Sequence, residues 1–112
     1  MNTNLVTNIN LPMPQIREFC QHWQITEFAL FGSVLREDFR PDSDIDCLIN
    51  FIDNAPWSLL DIVQMNQELE HIFSRKVDLL TKPAIERSQN WIRRREILST
   101  AKTIYSNEYA IK

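Results

Sequence analysis

Glycine is almost absent from this chain: one glycine, Gly32, occurs in 112 residues, which excludes a flexible glycine-rich linker. Cysteine is also scarce, since only Cys20 and Cys47 are present, at a spacing typical of neither a disulfide framework nor a metal site. We expect two buried free thiols in a reducing compartment. The apolar runs are too short to cross a bilayer, and residues 1–12 lack a basic residue before an apolar stretch. These scarcities predict a cytoplasmic globular protein that does not contact membranes.

Length and charge limit the organisation of the chain. A length of 112 residues is usual for one domain, so we predict one domain with a flexible segment at 1–12 and a frayed tail at 107–112. The net charge of −3 is unevenly distributed: residues 1–74 contain 3 basic and 11 acidic residues, and residues 75–112 contain 9 and 4. An acidic half that could hold cations beside a basic half that could hold phosphates fits a metal and nucleotide site, although solvated helix faces are the alternative.

Prolines and turn residues divide the chain into alternating helices and strands. The pattern predicts helices over 14–23, 33–39, 58–73 and 84–99, strands over 25–31, 44–51 and 77–81, and either a helix end or a fourth strand over 102–106. Ser58 and Asp61 resemble a capping box. The apolar stripe of the helix that follows is predicted to comprise Leu59, Ile62, Val63, Leu69, Ile72 and Phe73. Strands separated by helices indicate an α/β (α+β) domain with a small mixed sheet of three to four strands.

One spacing indicates chemistry: Gly32-Ser33 is followed by ten residues and then by Asp44-Ile45-Asp46. Residues two apart on a strand point to the same face, so Asp44 and Asp46 should project together. Two adjacent carboxylates repel each other unless a cation or a proton intervenes, and Mg²⁺ prefers such oxygen ligands together with phosphate oxygens. The pair therefore predicts a site for magnesium and a triphosphate.

The phosphates of such a substrate would lie near Gly32 and Ser33. A strand-to-helix junction offers free backbone N–H groups, Gly32 lets the backbone approach closely, and the Ser33 hydroxyl adds a donor. A second metal needs a third carboxylate, and Asp78, a lone acid in an apolar strand, is the candidate. The alternative is structural: Gly32 begins a helix, Asp42 and Asp44 belong to a turn, Asp46 is a surface strand position, and Asp78 is an edge-strand acid that faces water.

The basic and aromatic residues allow several interpretations. The run Arg93-Arg94-Arg95, with Arg87 and Lys82, could bind a triphosphate, a nucleic acid or a protein, or could form a solvated helix face. Trp57 and Trp91 could stack on an adenine or pack in a core or interface. His22 and His71 lack partners at metal-ligand spacing, so no zinc site is expected, and no serine or cysteine has the partners that covalent catalysis requires.

The segment from Gly32 to Asp46 resembles the signature of the minimal nucleotidyltransferases, a branch of the DNA polymerase beta-like superfamily. Arg36, Asp38, Arg40-Pro41 and Ser43 also fall where that signature has such residues, and residues 77–80 resemble its third-carboxylate strand. The resemblance extends over residues 25–81 and, more loosely, through the arginine-rich helix. It implies the polymerase beta-like nucleotidyltransferase fold.

The resemblance also implies an activity: transfer of a nucleoside monophosphate from a nucleoside triphosphate to a hydroxyl, with release of pyrophosphate and with two Mg²⁺ ions as cofactors. In this interpretation Asp44, Asp46 and Asp78 are the catalytic and metal-binding residues. The nucleotide contacts are assigned to Gly32, Ser33, Arg36 and Ser43.

Short members of this family are often antitoxins that are paired with a HEPN-domain ribonuclease toxin. The resemblance therefore implies transfer of AMP from ATP to a tyrosine of such a toxin, and direct nucleic-acid binding is not expected. Two alternatives remain: an antitoxin that neutralises its partner by stoichiometric binding, and a nucleotidyltransferase that acts on a small molecule. The second is disfavoured because 112 residues leave little chain for an acceptor pocket.

Overall fold

The computed structural model describes residues 9–36, 39–40 and 42–107. Most of the predicted flexible segment at 1–12 and of the frayed tail at 107–112 lies outside these residues, as do motif positions 37, 38 and 41. At the tail's first residue, the Asn107 N–H donates to the Thr26 carbonyl over 2.9 Å. No helix in the described part of the chain is both long and apolar enough to span a membrane.

Helices and strands alternate along the chain, as predicted. The elements are α1 (Met13–His22), β1 (Ile25–Phe31), a 3-10 turn (Gly32–Leu35), β2 (Ile45–Phe51), α2 (Leu59–Phe73), β3 (Val77–Thr81), α3 (Lys82–Glu86), α4 (Trp91–Thr100) and β4 (Lys102–Ser106). The capping box at Ser58 and Asp61 is present at the start of α2. The predicted α/β class is therefore confirmed.

The four strands form one mixed sheet in the order β3-β2-β1-β4. β1 is antiparallel to both β2 and β4, whereas β2 and β3 are parallel. A parallel pair needs a crossover connection, and α2 supplies it. The open question about residues 102–106 is answered, because β4 pairs with β1 as a fourth strand.

Helices cover both faces of the sheet. On one face, α1 and α2 pack through residues such as Phe19 and Leu69 against Phe28 and Leu30 of β1. On the other face, Ile85 of α3 and Ile97 of α4 pack against Ala29, Phe31 and Leu48. Because side chains alternate along a strand, Asp46 and Asp78 lie on the α3 and α4 face, while the neighbours of Asp46 in β2, Ile45 and Cys47, lie in the α1 and α2 core.

Both cysteines are free and buried, as predicted. Burial raises the pKa of the Cys20 thiol to about 12 and raises that of Cys47 well above its ordinary value. Both are therefore apolar core residues at neutral pH.

Several predicted boundaries differ from the structure, in addition to one-residue shifts at the ends of α1 and at the start of α2. The helix predicted over 33–39 is only the 3-10 turn, because Arg36 already has extended backbone angles of φ −115° and ψ 162°. The segment predicted as one helix over 84–99 forms two helices. The Thr81 side chain caps α3 and the Asn90 side chain caps α4, so a new helix begins after Asn90. β2 begins at Ile45, one residue after the predicted start.

Part of the predicted apolar stripe of α2 was also wrong. Leu59 and Val63 are 78% and 47% exposed, whereas Met65 and Leu69 are fully buried. The first turn of α2 thus has apolar side chains that the described part of the chain leaves largely uncovered.

Candidate active site

The sheet register brings two of the three predicted carboxylates together. Asp46 is paired with Asp78 across the parallel strands β2 and β3, and with Phe31, the last residue of β1, on its other side. Asp44 precedes β2 by one residue and is exposed, as is Asp78, while Asp46 is half-buried. The acids therefore lie at the end of the sheet where β1 leads into the 3-10 turn.

The pKa of Asp46 shows that the charges of Asp44 and Asp78 are close enough to act on its carboxyl. Burial, followed by the negative charges of Asp78 and Asp44, raises the pKa of its carboxyl from 3.8 to about 6. The positive charges of Arg93 and Arg36 act in the opposite direction. A cation placed among these carboxylates would relieve their mutual repulsion.

Gly32 is required by the space beside Asp46. It has a φ of +78°, and a Cβ added at Gly32 would overlap Oδ2 of Asp46 and lie 3.2 Å from its Cγ. A positive φ alone does not require glycine in this chain, since Gln24, Asn54 and Ser74 also have one. The sequence predicted that Gly32 leaves room for a phosphate. In the structure, the Asp46 carboxylate occupies the space that a Cβ at Gly32 would fill.

The junction after β1 is a single 3-10 turn over Gly32–Leu35, closed by an Arg36 N–H to Ser33 carbonyl hydrogen bond of 2.9 Å. One turn has only a small aligned dipole. Any phosphate binding predicted for Gly32 and Ser33 therefore depends on individual N–H groups and the Ser33 hydroxyl.

A cavity of about 360 Å³ lies between this turn and α4, next to Asp46. Its lining comprises Phe31, Gly32, Leu35, Arg36, Arg93, Glu96, Ile97 and Thr100. The cavity thus combines two arginines and the acidic Glu96 with apolar side chains in its lining. Its size and its polarity are suited to part of a nucleotide.

The three arginines of the basic run have different positions. Arg93 lines the cavity, Arg94 donates to the Ser88 carbonyl over 2.6 Å, and Arg95 is exposed. The sequence indicated the run but could not select its member at the site, because the start of α4 sets which residue faces the sheet. Glu96 and Thr100 were missed altogether; their spacing of three and seven residues from Arg93 on α4 was the signal.

Two other predicted contacts have local partners. The Ser43 hydroxyl accepts the Arg40 N–H over 3.1 Å, so it stabilises the turn before Asp44. Trp57 packs edge-on against Trp23, with ring centroids 5.0 Å apart, and donates its indole N–H to the Trp23 carbonyl. Trp57 is thus a packing residue, while Trp91 is 57% exposed on α4.

The predicted metal ligands are the carboxylates of Asp44, Asp46 and Asp78. Among the described residues, no group of three or more His, Cys, Asp or Glu side chains is placed to hold a metal ion. Asp44, Asp46 and Asp78 are therefore electrostatically coupled neighbours and do not form a preassembled ligand cluster. Their hard oxygen donors and mutual repulsion fit Mg²⁺, which usually takes one or two carboxylates and completes its shell with waters and phosphate oxygens.

A larger cavity of about 950 Å³ lies between α1 and α2. It is lined by residues such as Phe19, His22, Leu60 and His71, and by none of the three acids. α1 and α2 cover the face of the sheet opposite to Asp46 and Asp78. The smaller cavity is not lined by the three acids either, but it lies on their face of the sheet.

Residues 13–104 match the sequence profile of the nucleotidyltransferase domain. The chain belongs to this family. It is 37% identical over 65 residues to a Methanocaldococcus jannaschii protein named as a candidate protein adenylyltransferase, a match that covers 58% of this chain and 64% of that protein. It is 31% identical over 70 residues to the protein adenylyltransferase MntA of Thermococcus cleftensis, covering 62% of this chain and 69% of that protein. The chain thus spans less than two thirds of the length of the first of these relatives.

A solved structure has the same fold. It is that of a tri-AMPylated Shewanella oneidensis HEPN toxin in complex with an MNT antitoxin. The match has a TM-score of 0.58 and 18% identity, and covers 86% of this chain and 71% of that chain. At this identity the likeness establishes the architecture, and the chemistry must be argued from the residues of the site.

Proposed function

We propose that this protein is a magnesium-dependent nucleotidyltransferase that transfers AMP from ATP to a tyrosine hydroxyl of a HEPN-domain toxin, and so acts as its antitoxin. The observation that carries the proposal is the register pairing of Asp46 with Asp78 beside Gly32 and an arginine-lined cavity. The names of the relatives support the choice of an adenylyl donor and a protein acceptor, and the solved complex supports the kind of partner.

The residues of the site have separate roles in this reaction. Asp44, Asp46 and Asp78 would hold Mg²⁺. When bound, the metal would lower the pKa of the attacking hydroxyl and neutralise the departing pyrophosphate. Backbone N–H groups at Gly32 and Ser33 and the charges of Arg36 and Arg93 would bind the phosphates.

The bond changes follow from that placement. The acceptor oxygen attacks the α-phosphorus of ATP, a new phosphoester bond forms, and the bond from this phosphorus to the oxygen bridging to the β-phosphate breaks. Pyrophosphate leaves with the electron pair of that bond, and the hydroxyl proton is lost to the surrounding carboxylates and water. Asp78 is exposed at this edge of the sheet and so can face the acceptor.

The test is transfer of label from α-³²P-ATP to a co-purified toxin in the presence of Mg²⁺. Asp46→Asn and Asp78→Asn should each reduce transfer by at least about 100-fold, as expected for groups that stabilise the transition state. Asp53→Asn, which changes an exposed acid in the turn after β2, is the matched control and should keep full activity. Unlabelled toxin in an intact complex would refute the proposal, as would wild-type transfer by both variants.

Neutralisation by stoichiometric binding is the second candidate, and it is favoured by exposed apolar side chains. Trp91 and Ile92 of α4 are 57% and 62% exposed, and Leu59 and Leu60 of α2 are 78% and 79% exposed. Such residues often contact partner proteins. If an Asp44→Asn, Asp46→Asn double variant still protects cells from the toxin, transfer is unnecessary and binding suffices; loss of protection with retained binding supports the enzymatic mechanism.

A further inference from the structure

Arg75 lies in the short connection between α2 and β3 and is directed back toward the loop that precedes Asp44. α2 ends at a C-cap in which Ser74 has left-handed backbone angles of φ 57° and ψ 37°. The Arg75 N–H then donates to the Glu70 carbonyl over 3.3 Å. This C-terminal geometry turns the chain sharply and brings Arg75 to the start of β2.

The Arg75 side chain makes three contacts with that loop. One guanidinium nitrogen donates to the carbonyls of Arg40 and Ser43, at 3.3 Å each. The guanidinium also lies 4.7 Å from the centroid of the Phe39 ring. All three contacts fall on the segment immediately before Asp44, and the Ser43 carbonyl belongs to the peptide bond that joins Ser43 to Asp44.

The next residue, Lys76, holds the other side of Asp44. Its carbonyl accepts the Ile45 N–H over 2.9 Å, just before the register of β2 with β3 begins. Asp44 is therefore bracketed: Arg75 binds the peptide before it and Lys76 binds the residue after it. The same connection leads into Val77 and Asp78. Residues 75 and 76 therefore link the backbone around Asp44 to the strand that carries Asp78.

We propose that Arg75 is a positioning residue, which fixes the backbone of Asp44 relative to Asp78 and so sets the site for the divalent metal. This proposal rests on the proposed function. The acceptors of Arg75 are main-chain carbonyls, so its contribution is geometric. Arginine suits the task because one guanidinium nitrogen donates to both carbonyls while the planar group stacks on the Phe39 ring. The ammonium group of lysine can donate to carbonyls but has no planar face to stack on the ring.

The test compares Arg75→Met with Arg75→Lys in the full chain with its partner. Arg75→Met keeps an apolar side chain of similar reach and loses every donor, and we expect kcat for transfer to fall by about 10- to 100-fold, the usual cost of removing a supporting contact at a metal site. The Mg²⁺ concentration for half-maximal activity should rise as well. Arg75→Lys should give intermediate values. Arg17→Met, an exposed position on α1, is the matched control and should leave both quantities unchanged.

A second readout does not depend on activity. Amide NMR signals of Ser43, Asp44 and Ile45 should shift or broaden in Arg75→Met while the signals of α1 remain in place, and the Mn²⁺ dissociation constant measured by paramagnetic broadening should increase. If the wild-type protein transfers nothing to its partner, the proposed function fails, and these signals alone decide the role of Arg75. Wild-type signals and wild-type Mn²⁺ binding in Arg75→Met would overturn the inference. Should Arg75→Met fail to fold, Arg75→Lys replaces it, and wild-type values for that variant would overturn the inference equally.

Discussion

At the scale of single residues, the site depends on which side chains the backbone can admit. Among the described residues, Gln24, Asn54 and Ser74 also adopt a positive φ, so the strain of this conformation at position 32 does not by itself exclude every other residue. A Cβ at position 32 would in addition overlap Oδ2 of Asp46, so the carboxylate would have to move. Because Gly32 has no side chain, the Asp46 carboxylate can lie beside its backbone.

A substitution of Gly32 has two separable effects. Gly32→Ala should lower the free energy of unfolding by about 1–3 kcal/mol through backbone strain and should displace the Asp46 carboxylate. Gly32→Asn tolerates the backbone better but still carries a Cβ. Urea unfolding should therefore rank Asn above Ala in stability, while transfer activity should be lost in both. Retained activity in Gly32→Asn would mean that the space beside Asp46 is not limiting.

At the scale of elements, α2 stabilises the strand that carries Asp78. β3 is an edge strand, and its two outward N–H groups beside Asp78 are bound by α2 side chains. The Leu79 N–H donates to Asn66 Oδ1 and the Val77 N–H donates to Glu70 Oε2, both over 3.2 Å. These bonds occupy donors that would otherwise be available to another strand, which is how natural sheets protect their edges.

Removing the α2 acceptors should loosen β3 locally. We expect Asn66→Ala to speed hydrogen exchange of the Leu79 amide, with a loss of about 1 kcal/mol, the usual net value of one hydrogen bond. Gln67→Ala changes the adjacent exposed residue on α2 and serves as the control. Exchange at Leu79 that is equal in the two variants would show that Asn66 does not hold the edge.

Some helix and strand bounds were predicted from the sequence and others were not. Strands β1 and β3 were predicted with their observed bounds because short apolar runs ended at clear turn residues. The break between α3 and α4 was missed, since Asn90 is a capping residue only if the chain before it has already left the helix. Leu59 and Val63 follow helical periodicity, yet both are exposed, because periodicity predicts which residues share a face of the helix and not whether another element covers that face.

At the scale of the whole molecule, a basic helix from the last quarter of the chain is placed beside an acidic strand edge from its middle. Arg93 of α4 lowers the pKa of Asp46 and lines the same cavity as Gly32. A basic residue from the second half of the sequence thus lies near an acidic residue from the first half, and their opposite charges attract each other. This placement requires β1 to carry β4 on one side and β2 on the other, with α4 preceding β4.

Arg93 and Arg95 provide a matched pair for testing that arrangement. Arg93→Gln should weaken binding of a non-hydrolysable ATP analogue by about tenfold or more, since a hydrogen bond to a charged group contributes roughly 1.5–3 kcal/mol. It should also raise the pKa of Asp46 above about 6, because a lowering charge is removed. Arg95→Gln, at an exposed position of the same run, should change neither quantity. Calorimetry and a carboxyl ¹³C titration measure the two effects, and equal behaviour of the variants would contradict the assignment.

Local features follow from the sequence alone: the order of most helices and strands, the glycine and the three acids at their spacing, and the family to which the chain belongs. These follow from steric limits on the backbone and from the period of each element, which nearby residues set. The folded structure is needed to see that Asp46 pairs with Asp78, that Arg93 and not Arg95 lines the cavity, that a side chain at position 32 would overlap Asp46, and that Arg75 contacts the loop before Asp44. Each of these is a contact between segments distant in sequence, and strand order, register and helix packing create such contacts together, after the local pattern is already in place.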